Sequence, residues 1–168
     1  MRLKKFYLSL PIVCLLIASL TGCGFKLRGE FQLPTQLRVM YLKTHKPYSA
    51  LSKQLNQTLQ SIGIKLVSSS QEAPYTLEII NDTLSHTTTS ISATTQVVQY
   101  ILTYTVNYRV LDKQGKEVLS PRSIVATRNY TANRNRMLGG SIEQSLLEED
   151  MRRDVVSQLL NQLSTLLK

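Results

Sequence analysis

Apolar and polar residues alternate most regularly near the middle of the chain. Apolar or aromatic side chains occupy the even positions from Val98 to Val110, and mostly polar ones occupy the odd positions. This period of two predicts a strand with one buried and one polar face. Shorter patterns of the same kind predict three further strands, at 36–43, 75–84 and 117–130. Residues 64–67 are either a short extension or another strand, and the Gly-containing segment 112–116 is typical of a hairpin turn.

Two segments have helical periodicity instead. In the first, Ser49 is a good N-cap, Gly63 supplies a C-terminal stop, and the apolar positions between them are Leu51, Leu55, Leu59 and Ile62. The second is predicted to begin after Gly139-Gly140 with a Ser-x-x-Gln capping box at Ser141. Its apolar stripe comprises Ile142, Leu146, Met151, Val155, Leu159, Leu163 and Leu166.

The order of these elements predicts the fold class α+β. We expect a two-layer sandwich in which two helices pack on one face of a mostly antiparallel four-stranded sheet. Pro121 places the last strand at an edge or at a bulge. A single domain is expected at 37–168, preceded by an extended lead-in at 23–36.

The first 22 residues are typical of an export signal. Basic residues precede an uncharged, largely apolar run at 6–20, which has the length of a signal-peptide core and is shorter than the about 20 residues of a membrane span. The run ends in Leu20-Thr21-Gly22-Cys23, which resembles the bacterial lipobox and predicts lipidation of Cys23. Acyl chains on this residue would hold the protein on a membrane. Gly24, where Asp usually signals inner-membrane retention, favours the periplasmic face of the outer membrane.

Composition excludes several kinds of protein. The chain has 168 residues, of which 42% are hydrophobic and 18% charged, as in one globular domain. Cys14 leaves with the signal and Cys23 is lipidated, so no disulfide framework is expected. His45 and His86 have no acidic neighbour in sequence and are interpreted as surface residues. Glu148–Asp150 are consecutive on a helix and cannot converge as an acid–base pair. With no phosphate-loop, zinc-protease or nucleophile-elbow motif, we expect neither an enzyme nor a cofactor or metal site.

The segment 83–108 contains no formal charge, and 85–95 is almost entirely small and polar. Two interpretations stay open: a long solvated hairpin tip, or a loop that packs inside another protein, where a desolvated charge would be costly. The tyrosines of the alternating strand, Tyr100, Tyr104 and Tyr108, share a face with aliphatic residues and are interpreted as core.

The segment 118–142 has cations but no acidic residue, and all its cations are arginines: Arg122, Arg128, Arg134 and Arg136. They are either scattered surface charges or a site for phosphate, which the planar guanidinium binds in bidentate fashion. An envelope location excludes nucleic acid as the partner and leaves anionic lipid or glycolipid.

The opening of the mature chain, Cys23-Gly24-Phe25-Lys26-Leu27-Arg28-Gly29, is followed by Leu-Pro and the strand at 37–42. This opening resembles the LptE family of lipopolysaccharide-assembly lipoproteins. The similarity extends over the mature chain and includes the Leu-Ser-x-x-Leu helix at 51–55, the tyrosine-bearing strand and the C-terminal helix. It implies a sandwich lodged inside the LptD outer-membrane β-barrel as a heterodimer, where the protein plugs the barrel, helps it assemble and contacts lipopolysaccharide on its way to the outer leaflet.

In the family, lipopolysaccharide contact is ascribed to basic loop residues. This chain departs from that pattern, because 90–99 has no basic residue and Gly139-Gly140 stands near the second expected position. The candidate lipopolysaccharide contacts are therefore Arg128, Arg134 and Arg136. The main alternative is an accessory lipoprotein of another envelope transport complex, such as one for phospholipid. A periplasmic hydrolase is disfavoured by the missing catalytic motifs.

Overall fold

The computed structural model describes residues 34–91, 97–133 and 137–166. The predicted signal peptide, the lipidation at Cys23 and nearly all of the extended lead-in lie outside these residues. The structure contains the strands β1 (Val39–Thr44), β2 (Lys65–Val67), β3 (Tyr75–Ile91), β4 (Val97–Asp112) and β5 (Glu117–Asn133), the helices α1 (Ala50–Ser61) and α2 (Met137–Leu166), and short 3₁₀ turns at Thr35–Leu37 and Ser70–Glu72.

The strands form one mixed sheet in the order β2-β1-β3-β4-β5. β1 is parallel to both of its neighbours, whereas β3, β4 and β5 are antiparallel. The α+β class with two helices is confirmed, but the prediction of a mostly antiparallel four-stranded sheet was wrong in detail. The helical crossover from β1 through α1 returns the chain in the same direction, which requires a parallel pair. β2 is too short for a period of two to reveal it.

β3 extends beyond its predicted end at Leu84. The Ser/Thr tract that follows pairs with β4, with Ser85 opposite Thr103 and Thr87 opposite Ile101. Threonine favours extended backbone, but a tract without apolar residues gives no alternation to detect. The tip that was predicted to continue to 95 falls partly outside the described residues, which omit 92–96.

Pro121 lies at an irregularity of the edge strand β5, where its missing backbone N–H interrupts no regular ladder of hydrogen bonds. β5 is an edge strand, and its register shifts between the pairs Tyr108–Arg122 and Val110–Leu119. The prediction of an edge or bulge is confirmed. The turn before β5 is also as predicted, since Gly115 has φ +82°.

The ends of α1 follow the sequence prediction closely. The Ser49 hydroxyl accepts a hydrogen bond from the backbone N–H of Ser52 at 3.1 Å, and Gly63 ends the helix with φ +83°. The predicted start of α2 was wrong, because the helix runs through Gly139-Gly140 and begins at Met137. Glycine lowers helix propensity without forbidding a helix, and extending an existing helix costs little compared with nucleating one.

The core lies between the two helices and one face of the sheet, which we call the helix face. Its most buried members are Leu37, Met40, Leu51, Leu55, Leu59, Leu77, Leu102, Val106, Tyr108, Val110, Ile124, Met151, Val155, Leu159, Leu160 and Leu163. The predicted stripe of α2 is therefore confirmed from Met151 to Leu163. It was wrong at Ile142 and Leu146, which are 64% and 62% exposed. Periodicity marks the apolar side of a helix but not where the packed surface ends.

None of the helices within 34–91, 97–133 and 137–166 is both long and apolar enough to span a membrane.

Candidate functional site

The face of the sheet opposite the helices, here called the open face, divides into two halves. Its proximal half lies toward the hairpin turn at 112–116, and its distal half lies toward the ends of β3 and β4 at Ile91 and Val97. A row of alternating charges, the proximal ladder, crosses four strands in the first half: Lys43 on β1, Glu78 on β3, Arg109 on β4 and Glu117 on β5.

Glu78 is the centre of the proximal ladder. Its carboxylate accepts a hydrogen bond from Arg109 Nε at 2.6 Å and pairs with Lys43 Nζ at 2.8 Å, and Arg109 Nη1 reaches Glu117 at 2.9 Å. The residue is only 5% exposed. Burial acts to raise the pKa of Glu78, but hydrogen bonds and charge from Lys43 and Arg109 outweigh it and hold this pKa below its ordinary value. The ladder is thus a compensated structure that needs no ligand.

The distal open face differs in chemistry. Strand register and alternation assign to it the side chains of Thr83, Ser85, Thr87, Gln99, Ile101, Thr103, Thr105, Asn107, Ser123, Val125, Thr127, Asn129 and Thr131. All are exposed or half-buried, and none carries a formal charge. This surface offers hydroxyl and amide groups that can both donate and accept hydrogen bonds.

The tyrosines predicted as core do lie on the helix face. Tyr104 and Tyr108 are 6% and 0% exposed, and Tyr100 stacks on Tyr130 with ring centroids 6.2 Å apart. Tyr104 donates its hydroxyl hydrogen bond to Asp82 at 3.1 Å. Burial and the neighbouring carboxylate raise the pKa of Tyr104 well above its ordinary value, so this phenol keeps its proton at neutral pH.

Asp82 has a second partner on the β1–α1 loop. Lys46 Nζ pairs with its carboxylate at 2.9 Å and also donates to its backbone carbonyl at 3.2 Å. The aspartate thereby joins this loop to the point where β3 begins its distal half. Its contacts, like those of Glu78, are internal and structural.

Among the candidate lipopolysaccharide contacts, the structure describes only Arg128. Its guanidinium donates to Asp150 at 2.8 Å and to Asp154 at 3.3 Å, both on α2. The hydrogen bond to Asp150, followed by that to Asp154, raises the pKa of Arg128 despite partial burial. Arg128 therefore fastens α2 to β5. Arg134 and Arg136 lie outside the described residues.

The acidic run on α2 serves a similar purpose. Glu148 and Glu149 pair with the arginines one turn further on, Arg152 and Arg153, and Asp150 pairs with Arg128. The prediction that these carboxylates do not converge is confirmed. His45 and His86 are exposed, as expected. Within the part of the chain that the structure describes, no group of three or more His, Cys, Asp or Glu residues could hold a metal ion.

Sequence reasoning missed the proximal ladder and the Asp82 contacts. Glu78 and Arg109 are 31 positions apart, and Asp82 and Tyr104 are 22 apart. No local pattern joins such residues. Only the strand register brings them together, with Glu78 directly opposite Arg109 and Lys43 directly opposite Glu78.

Comparison with known proteins gave consistent matches. The family model described as "LptE: Lipopolysaccharide-assembly" matches residues 37–163. The protein named "LPS-assembly lipoprotein LptE" of Pectobacterium atrosepticum is 29% identical over 168 residues, covering 99% of this chain and 88% of that protein. The protein of the same name in Yersinia pestis is 30% identical over 166 residues, covering 98% of this chain and 78% of its own.

Solved structures share the fold. The solution structure of an uncharacterized lipoprotein B from Nitrosomonas europaea has a TM-score of 0.70 at 26% identity, covering 84% of this chain and 90% of that one. Rare lipoprotein B from Shewanella oneidensis has a TM-score of 0.60 at 25% identity, covering 74% and 89%. A minor lipoprotein from Acinetobacter baumannii has a TM-score of 0.64 at 22% identity, covering 77% and 92%, and supports the fold alone.

Proposed function

The chain belongs to the LptE family of lipopolysaccharide-assembly lipoproteins, and on that premise we propose that it is anchored in the outer membrane, where it plugs the LptD β-barrel and assists its assembly. The observation that carries this proposal is the family match across 37–163, nearly the whole sandwich. No step in this role is chemical. The protein acts by occupying space and by holding its partner in a productive conformation.

The distal open face supports a role inside another protein. Filling a barrel lumen removes water from the inserted surface, and an unpaired charge there would cost several kcal/mol. Hydroxyl and amide groups avoid this cost, because they can find partners among the polar side chains that line a barrel interior. The uncharged distal open face fits such a lumen, whereas the proximal ladder already satisfies its own charges.

The lipid anchor gives the plug its location. Acylation at Cys23 would restrict the protein to the membrane surface, where the barrel is inserted, and so raise the effective concentration of one partner for the other. Cys23 lies outside the described residues, so its lipidation is argued from the lipobox sequence.

Direct contact with lipopolysaccharide is the finer part of the proposal. Arg134 and Arg136 would bind its phosphates and compete with the divalent cations that bridge them. Arg128 would have to leave Asp150 and Asp154 before it could do the same.

Co-purification tests the proposal directly. The full-length chain with a C-terminal tag is expressed in a Gram-negative envelope, extracted in mild detergent and analysed for co-eluting proteins. We expect a large, heat-modifiable barrel in near-equal amount. A Cys23→Ser variant, which lacks the acyl acceptor, is expected to recover much less of it. Elution of the wild-type protein alone would contradict the proposal, and elution with inner-membrane transporter subunits would favour the phospholipid-transport alternative.

A further inference from the structure

A groove runs between the two helices, and all of its lining residues belong to them. Its volume is about 460 Å³, within the range of small-molecule sites. Residues from both helices line it: Ala50, Lys53, Gln54, Gln57 and Thr58 from α1, and Glu149, Arg152 and Arg153 from α2. We call it the interhelical groove.

Arg152 is the most buried cation of the interhelical groove that lacks a close partner among the described residues. Its side chain is only 21% exposed, yet its single ion pair, from Nη1 to Glu148 Oε2, is 3.8 Å long. That distance is too long for a hydrogen bond, and Arg152 donates none to the described residues. Arg128 shows the contrast, with two carboxylates at 2.8 and 3.3 Å. Arg152 therefore holds a partly desolvated guanidinium that donates no hydrogen bond to the described residues, although its charge acts at longer range on the Tyr104 phenol and opposes the rise of that pKa.

The facing helix supplies further unused donors. Lys53, Gln54 and Gln57 make no side-chain hydrogen bond or ion pair with the part of the chain that the structure describes. Thr58 is already engaged, because its hydroxyl donates to the Gln54 carbonyl at 2.8 Å. Two helices thus line the groove with a guanidinium, an ammonium and two amides that have no close partner among the described residues. The groove's one carboxylate, Glu149, is paired with Arg153, so its charge is already compensated.

We infer that the interhelical groove binds a phosphate group, carried by a lipid headgroup or free in solution. Phosphate offers more charge and more acceptor oxygens than a carboxylate, and the fork of Arg152 matches two of those oxygens. Lys53 supplies the opposing point charge, and the two glutamines can donate to the remaining oxygen. If the phosphate is that of lipopolysaccharide, the inference rests on the proposed function and adds a second contact region, separate from Arg134 and Arg136.

The test measures ligand binding by the tagged full-length protein in nonionic detergent. The probes are bisphosphorylated lipid A, chemically dephosphorylated lipid A and sodium phosphate as competitor. We expect Arg152→Gln and Lys53→Gln each to raise the Kd for bisphosphorylated lipid A roughly tenfold, the usual effect of losing one charge-assisted contact. If sodium phosphate displaces lipid A, a phosphate group alone is sufficient for binding to the groove. If the variants lose lipid A binding but sodium phosphate does not compete, the phosphate must be carried by the lipid headgroup.

Matched controls remove the same charge elsewhere. Arg122→Gln on β5 and Lys116→Gln in the hairpin turn change exposed residues away from the groove, and both are expected to alter the Kd less than about twofold. The inference is overturned if the groove variants bind like these controls, or if dephosphorylated lipid A binds as well as the phosphorylated form.

Two further variants guard against a folding defect in Arg152→Gln. Gln57→Glu adds a negative charge at an exposed position of the groove and is expected to weaken binding by a similar factor. Glu148→Gln removes the distant carboxylate that competes for Arg152 and is expected to strengthen binding. Barrel co-purification is measured for every variant. A groove variant that loses lipid binding but keeps the barrel supports the inference, whereas loss of the barrel from the wild-type protein would count against the proposed function instead.

Discussion

The two halves of the open face are built on the same three strands, β3, β4 and β5, yet they handle polar groups in opposite ways. The proximal half buries a carboxylate and surrounds it with cations at 2.6 and 2.8 Å. The distal half carries only neutral hydroxyl and amide groups, with an occasional aliphatic residue. The difference separates a surface whose charges are satisfied within the molecule from one whose hydrogen-bonding groups stay available to a partner.

The contrast also explains why the two halves differ in sequence. A charge can be buried only where fixed partners offset its desolvation, and the proximal half obtains those partners, Lys43 and Arg109, from β1 and β4. The distal half extends beyond β1, which pairs with β3 only as far as Ile79, so among the described residues it has no counterpart of Lys43. Neutral side chains in the distal half need no counterion, so a partner has only to offer hydrogen bonds to them.

Removing the centre of the proximal ladder should have the largest effect. Glu78→Gln leaves Lys43 and Arg109 without the carboxylate they share. Because that carboxylate is buried while its partners are partly exposed, we expect a loss of about 2–3 kcal/mol in the free energy of unfolding. Urea denaturation of the detergent-solubilised protein at neutral pH measures it.

Glu117→Gln is the control, because it removes a partner of the same arginine at the more exposed end of the ladder. We expect Glu117→Gln to lower the free energy of unfolding by less than about 1 kcal/mol. Equal losses in the two variants would show that burial of Glu78 does not distinguish the centre of the ladder from its end.

The pH dependence of stability sharpens the same comparison. The pKa of Glu78 is lowered in the folded protein from its ordinary value of 4.5, so the folded state favours the ionised form. Its contribution is fully present above 4.5 and is lost as the pH falls through the lower folded value. The stability gap between the wild-type protein and Glu78→Gln should therefore narrow in acid. A gap that stays constant from neutral pH down to well below 4.5 would contradict the ladder as its source.

Adding a charge to the distal open face tests the other half. Ser85→Lys and Thr127→Lys place an ammonium group at exposed positions, so the free energy of unfolding should change by less than about 0.5 kcal/mol. Recovery of the proposed barrel partner should fall roughly tenfold, since the new charge would have to be desolvated on insertion. Gln114→Lys in the hairpin turn adds the same charge outside this face and should leave recovery unchanged. If all three variants recover the barrel equally, the distal open face is not the inserted surface.

Local patterns predicted much of the fold. The period of two in β4, the N-cap at Ser49 and the turn at Gly115 each depend on neighbouring residues, and each is confirmed. What failed was the count of four strands, which left open whether residues 64–67 form the strand β2, the parallel pairing of β1, and the start of α2, which lies at Met137. Such features are decided by which segments meet, and a short or glycine-containing segment carries no signal of that.

The candidate site was less predictable than the fold. The arginine-rich composition of 118–142 directed attention to Arg128, but its two aspartate partners lie more than twenty positions away on α2. Composition counts charges, whereas function depends on which of them remain unpaired. The same reason hid Arg152, which looks compensated in sequence by five acidic residues on its own helix but has one distant ion pair among the described residues.

Arg128 is the exception that completes the comparison, and its removal should have the smallest effect. It is the one formal charge in the described distal part of β5, but it lies on the helix face, where Asp150 and Asp154 neutralise it. Because its side chain is 31% exposed and both partners are more exposed, Arg128→Gln should cost only about 0.5–1 kcal/mol, and less at high salt. Arg122→Gln, which removes an exposed arginine without an ion pair to the described residues, should cost nothing measurable in the same denaturation series. If Arg128 serves only to join α2 to β5, lipid A binding will be unchanged in Arg128→Gln. If the variant loses lipid A binding but keeps its stability, Arg128 contacts lipopolysaccharide, as the sequence analysis predicted.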